Sequence, residues 1–246
     1  MNGEKQTLIY RLQTHVERLA EDIGERNVFA PEALQRAAVY IEDEWGTMGY
    51  DVERLEYDVS GIRCANLVTT RKGSARSSEI LLLGAHYDSV LGSPGANDNA
   101  SGVAALLEIA RMFQAVEPVL TVRFVAFVNE EPPFFWTHKQ GSMVYAEAAR
   151  RRGDDIRLMA SLETIGCYSD QPGSQSYPRY SASSIPTAGI SLESYRISAR
   201  DLRCSGLPRH FERSPTFRCR PFRLSGSFPE FHGATIDRSG ATAIPP

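Results

Sequence analysis

Cysteine is scarce and scattered: Cys64, Cys167, Cys204 and Cys219 form no CxxC pair. That excludes a site built on close-set cysteines and reads as unpaired thiols of a reducing compartment. No apolar stretch approaches the ~20 residues that a membrane-spanning helix needs, so no membrane partner is expected. Charge of one sign is lacking as well. The formal net charge is -3, which argues against general affinity for nucleic acid. The first residues, Met1-Asn2-Gly3-Glu4-Lys5-Gln6, are polar and run into an amphipathic pattern, so no signal peptide is expected and a cytoplasmic location is. No internal repeat is present. What remains is an ordinary globular composition over 246 residues, 42% hydrophobic and 23% charged. It suffices for one large α/β domain or two small ones.

Apolar side chains recur at helical spacing over residues 7–23: Leu8, Leu12, Val16, Leu19 and Ile23. Pro31 opens a second helix at its first turn, with Leu34, Ala37, Ala38, Tyr40 and Ile41 on the inner face, and Gly49 ends that unit. Strands are expected at 51–57 and 64–70, followed by a polar turn over 71–78. Ile80–Ala85 is a continuous apolar run of strand length, which predicts a central strand covered on both faces. Ala100–Met112 reads as a helix whose small first residues permit close packing. Val119–Val128 reads as a buried strand and Gly141–Arg152 as a helix, and Ile156–Leu162 leads into a strand end at Glu163. This alternation predicts an α/β fold with a mixed, mostly parallel sheet flanked by helices, and a site at the strand carboxyl ends.

Three clusters carry the chemistry. They are His86-Tyr87-Asp88, then Gly95-Ala96-Asn97-Asp98-Asn99-Ala100-Ser101-Gly102, then Asn129-Glu130-Glu131-Pro132-Pro133. The first and last follow apolar strand-like runs, and the middle one opens an apolar helix. A metallohydrolase needs anionic or imidazole ligands at fixed geometry, an open position for water, and a base for the water's proton. His86 supplies an imidazole. Asp88, two residues on, lies on the same side of an extended chain and suits the other ring N–H. Asp98 offers two carboxylate oxygens, enough to bridge two metals. The side chains of Glu130 and Glu131 diverge, so one can bind metal while the other holds the attacking water. Each cluster alone has a plain reading, as a solvated turn, an Asx-rich helix cap or a charged surface. Their conjunction in one order, each at a strand end or helix start, is what counts. Phe134, Phe135 and Trp136 suit a substrate pocket or ordinary packing equally, and His138 reads as a loop histidine.

In that order the clusters resemble the M28-type aminopeptidase family of co-catalytic zinc exopeptidases, clan-mates of the zinc carboxypeptidases. The extended string Gly84-Ala85-His86-Tyr87-Asp88-Ser89-Val90 ahead of Pro94-Gly95 strengthens the resemblance. It implies the zinc-exopeptidase α/β fold, Glu130 as general base and Glu131 as metal ligand. Leu162-Glu163-Thr164-Ile165-Gly166 resembles the next ligand segment, which makes Glu163 a ligand. One Zn²⁺ would be held by His86, Asp98 and Glu163, and the other by Asp98, Glu131 and a late histidine. The implied reaction is removal of the N-terminal residue of a peptide. Carboxypeptidase action and glutaminyl cyclisation are alternatives on the same scaffold.

The resemblance ends near residue 178, giving a peptidase domain over 1–178 and an aberrant tail over 179–246. The tail holds ten arginines, no lysine and eleven serines, with no persistent helical or strand period. Its histidines, His210 and His232, do not follow an apolar strand, and the family's late Asp-His pair is not there. Read from the third base of the Gly233 codon, degenerate codons for Gly233–Pro246 allow Ser-Asp-His-Arg-Ser-Phe-Trp-Arg-Tyr-Gly-Tyr-Pro-Ala, which contains that pair. A reading-frame change after about residue 178 is therefore expected, leaving the sheet incomplete at its C-terminal side. The chain would then bind at most one zinc tightly. The rival expectation is an inactive remnant of such an enzyme.

Overall fold

The computed structural model describes residues 3–167 and Ser169; the expected tail, with His210 and His232, lies outside the described residues. Three layers build up in chain order. Helix α1 (Gly3–Glu17) continues into a π-helical turn (Arg18–Ile23), and α2 (Pro31–Thr47) follows a short loop. A hairpin of β1 (Val52–Val59) and β2 (Ile62–Arg71) leads to β3 (Arg76–His86). Next come a bent turn over Ala96–Ala100, α3 (Ser101–Phe113), β4 (Leu120–Phe127), α4 (Gly141–Arg152) and β5 (Asp155–Ser161).

The strands form one mixed sheet in the order β1-β2-β4-β3-β5. The β1–β2 and β2–β4 pairs are antiparallel, and the β4–β3 and β3–β5 pairs are parallel. The site-bearing half is thus the parallel one, as βαβ connections require. Side-chain alternation divides β3 between the two faces. Leu81, Leu83 and Ala85 pack with Val122, Phe124 and Ala126 of β4 into the larger core under α2 and α3. Leu82 joins Val125, Phe127, Tyr145 and Ala149 in a smaller core under α4. Both faces of the central strand are covered, and His86 shares the parity of Leu82, placing it on the α4 face.

Two expectations shift in detail. The first helix begins at Gly3 rather than residue 7, and Leu8 is exposed while His15 is buried. The reason is a polar partner: His15 Nε2 lies 3.1 Å from Glu108 Oε1 of α3, and its Nδ1 lies 2.6 Å from Tyr40 Oη of α2. The small residues opening α3 do allow close approach, though against the exit of β5 rather than a strand. A Cβ on Gly102 would stand 2.3 Å from the Leu162 carbonyl oxygen. Among the described residues, no helix is long and apolar enough to cross a membrane.

Candidate metal centre

Three strand ends and one helix start converge. His86 closes β3 and is buried. Its Nε2 lies 3.0 Å from Asp98 Oδ1, 3.0 Å from Glu163 Oε1 and 3.9 Å from Glu130 Oε2. Its Nδ1 lies 3.2 Å from the Asp88 carbonyl oxygen and 3.4 Å from Asp88 Oδ1. With Nδ1–H turned to Asp88, Nε2 is left as the ligand atom. The Asp88 carboxylate has a second task. Oδ1 accepts from the Glu130 N–H at 3.2 Å and Oδ2 from the Glu131 N–H at 3.1 Å. One buried side chain therefore orients the imidazole and the backbone of the Glu130–Glu131 pair together.

The six residues expected from sequence all reach this centre. Potential ligand atoms gather in two groups, His86-Asp98-Glu163 and His86-Glu130-Glu131. The first is the set expected for one metal. The second keeps Glu131 but joins it to His86 and Glu130 rather than to Asp98 and a late histidine; among the described residues His86 is the one imidazole at the centre. His138 lies exposed in the loop between Pro133 and Gly141, away from both groups.

The charges are held against their preference. Burial pushes the Glu130 and Glu131 carboxyls up to about 7 each, with Asp98 adding to the effect on Glu131. Burial also raises Glu163, while Asp98 is held below its ordinary range because the hydrogen bond and charge of His86 outweigh its desolvation. Burial alone would lower His86, but hydrogen bonds to Asp88, Asp98 and Glu163 carry it well above the ordinary value. Glu131 Oε1 is buried with no hydrogen-bond partner among the described residues. An orphaned buried carboxylate oxygen beside imidazole and further carboxylates suits a divalent cation, and the oxygen–nitrogen donor set suits zinc.

The sequence alone assigns no role of their own to two residues of the middle cluster, Asn97 and Asn99. Asn99 Nδ2 donates to the Leu162 carbonyl at 2.9 Å and to Glu163 Oε2 at 3.4 Å. Its Oδ1 accepts from Gly102 N at 3.1 Å and Thr164 N at 3.2 Å. Asn97 Oδ1 accepts from Gly166 N at 2.9 Å. The two neighbours of Asp98 therefore tie its loop to the segment carrying Glu163. Beside two of the carboxylates the backbone is strained: Asn129, ahead of Glu130, has φ 58°, and Thr164, after Glu163, has φ 48°. A β-branched residue in that region is costly and persists only where surroundings hold it.

A cavity of about 470 Å³ opens from His86, Glu130 and Glu163 along the α4 face. Phe135, Trp136 and Met143 line it, so the aromatic loop after the double proline faces the site.

The family model for peptidase family M28 matches residues 66–191. YfbL of Escherichia coli (strain K12) is 37% identical over 176 residues, covering 68% of this chain and 53% of that protein; the chain spans about half of its length. The structure of BSAP, a zinc aminopeptidase from Bacillus subtilis, matches with a TM-score of 0.57 at 15% identity, covering 68% of this chain and 74% of that one. A Tannerella forsythia glutaminyl cyclase matches at 26% identity and a TM-score of 0.52, covering 67% and 65%. The α/β architecture is common to both. With its matched span covering about half of the sequence and containing Asp98, Glu130, Glu131 and Glu163, this chain belongs to peptidase family M28.

Proposed function

We propose that the chain is a zinc-dependent exopeptidase that hydrolyses the N-terminal residue from peptides, with Glu130 as general base. One observation carries the reading. Glu130 stands 3.9 Å from His86 Nε2, beyond the 3.0 Å of Asp98 and Glu163, with its carboxyl poised at about 7. That is the place of a base beside the His86-Asp98-Glu163 group rather than of a member of it. His86, Asp98 and Glu163 would hold zinc, and Asp98 with Glu131 would contribute to a second position. Bound zinc would supply a water acidic enough to attack at neutral pH and would polarise the scissile carbonyl. The chain's own residues do the rest. Glu130 accepts the proton of the attacking water and passes it to the leaving amine. Asp88 keeps His86 in the ligating tautomer and fixes the backbone from which Glu130 projects. The cavity beside Glu130 receives the substrate's side chain.

Glu130→Gln tests this. Turnover of leucine p-nitroanilide should fall by ~10²–10⁴-fold or more, with zinc content by mass spectrometry unchanged. Zinc lost together with activity would reassign Glu130 as a ligand. Glutaminyl cyclisation is the second reading, favoured by the 26% identity to the T. forsythia cyclase and by the single imidazole at the centre among the described residues. Ring closure of a glutaminyl peptide without p-nitroanilide hydrolysis would select it. A chain that binds no zinc would support the inactive remnant.

A further inference from the structure

Arg26 lies between the π-helical turn and α2, outside the span that matches the family model. It is fully buried. Among the described residues, every hydrogen bond its side chain donates ends on a backbone carbonyl. Nε reaches Tyr87 O at 2.6 Å. Nη1 reaches Leu19 O at 3.2 Å, Gly24 O at 3.1 Å and Pro94 O at 2.5 Å, and Nη2 reaches Gly95 O at 3.0 Å. The local backbone makes the same connection. Ser89 N donates to Arg26 O at 3.0 Å, and Arg26 N donates to Ser89 Oγ at 3.1 Å.

The carbonyls it grips are not scattered. Tyr87 O lies between His86 and Asp88, and Pro94 and Gly95 come just ahead of Asp98. A guanidinium is planar with donors in a fixed fork, so one side chain sets the separation between the strand end and the loop. Gly95 makes the approach possible: its φ is +60°, and a Cβ there would stand 3.1 Å from Arg26 Nη2 and 2.5 Å from the Asp98 carbonyl oxygen. We propose that Arg26 is a positioning residue of the metal centre, clamping both ends of segment 87–95 and so fixing the spacing of His86 from Asp98. This rests on the reading of the centre as a zinc site. Lysine, whose three N–H donors radiate from one nitrogen on a flexible stem, cannot replace the fork.

The test compares the full chain with Arg26→Lys and with Glu108→Gln, which breaks a buried network away from the centre. Zinc affinity is measured by chelator competition and stability by thermal melting. Arg26→Lys should weaken zinc binding about tenfold or more, the scale for residues that orient metal ligands. Glu108→Gln should lose stability while binding zinc within about twofold of wild type. Wild-type affinity in Arg26→Lys, or affinity that tracks melting temperature in both variants, overturns the proposal. Amide exchange on metal-free protein decides independently. Ala100 N–H, bonded to Gly95 O at 3.0 Å, should lose protection in Arg26→Lys while the β4 amides keep theirs; unchanged protection overturns the clamp. Wild type that binds no zinc sinks the zinc reading alone, because that exchange experiment still stands. Should Arg26→Lys not fold, the Arg26 Nε–H in wild type should exchange slowly by NMR, and fast exchange overturns the proposal.

Discussion

Asp88 is two residues from His86, yet its carboxylate bonds to the backbone of residues 42 and 43 positions later. That geometry sets a clear expectation for Asp88→Asn. An amide offers one acceptor where two N–H groups need one each, so either Glu130 or Glu131 loses its anchor. Zinc affinity or turnover should fall about 10–100-fold, measured by chelator competition and peptide hydrolysis; wild-type values for both would remove Asp88 from the machinery. Asn99→Ala should leave the Gly102 and Thr164 N–H groups without an acceptor. The buried Gly102 donor alone costs ~1–3 kcal/mol when orphaned, visible as a lower melting temperature, and an unchanged melt would rule the brace out. The contrast between these two residues shows what was legible in the sequence. Asp88 stands in a His-x-Asp string whose chemistry is local, and Asp98, Glu130, Glu131 and Glu163 belong to strings that keep family order. Asn99 reads as one more polar residue in a turn. Its value comes from Leu162 and Glu163, more than sixty residues away, and no local spacing records that. Arg26 is harder still, since an arginine in a polar turn reads as solvated and its burial follows from a loop that folds over it.

Helix α1 carries the same lesson at the scale of an element. Its apolar repeat predicted a face of Leu8, Leu12, Val16, Leu19 and Ile23; Leu19 and Ile23 are buried and Val16 packs against the core, but Leu8 is exposed and His15 is buried in its place. The Glu108 carboxylate meets His15 at 3.1 Å and Arg111 Nε at 2.8 Å, with Arg11 at 3.6 Å. Burial alone would raise Glu108, but the hydrogen bonds from Arg111 and His15 hold it below the ordinary carboxylate range. Its folded value lies below the unfolded one, so its contribution is present above ~4.3, the ordinary glutamate value, and is lost as pH falls through the lowered value. Glu108→Gln removes the counter-charge of Arg111 and Arg11 and should cost ~1–3 kcal/mol, a drop of several degrees in melting temperature. It should also flatten the decline of wild-type stability below about pH 4. An acid melt with the same slope in both proteins would discard the pair as a source of acid sensitivity. The positions of α2, α3 and β4 were readable from periodicity, because they bury their apolar faces directly, whereas β3 begins at Arg76, inside the polar turn expected over 71–78.

For the whole molecule, metal and stability should move together. The gathered carboxyls are costly without a cation, and zinc uptake must displace their protons, so affinity should rise with pH. At free zinc a thousandfold above Kd, binding adds ~4 kcal/mol; chelation should lower the melting temperature accordingly. A melt indifferent to zinc and chelator would rule out a zinc centre in this chain. With His86 as the one imidazole there among the described residues, one tightly held zinc per chain is expected by native mass spectrometry. If a reading-frame change follows residue 178, as proposed, restoring the frame should add the second; an intact gene with no Asp-His string in any frame would dismiss the frame change. The strand order has a further consequence, in time rather than space. β3 pairs with β4 and β5, both of which follow it in the chain, and His86 meets Glu163 across 77 residues. Such non-local closures are slow because loop entropy is lost before contacts repay it. During refolding, helices and the β1–β2 hairpin should form first, and the capacity to capture metal should appear only with the last parallel pairing, making zinc uptake a clock for the final step of folding.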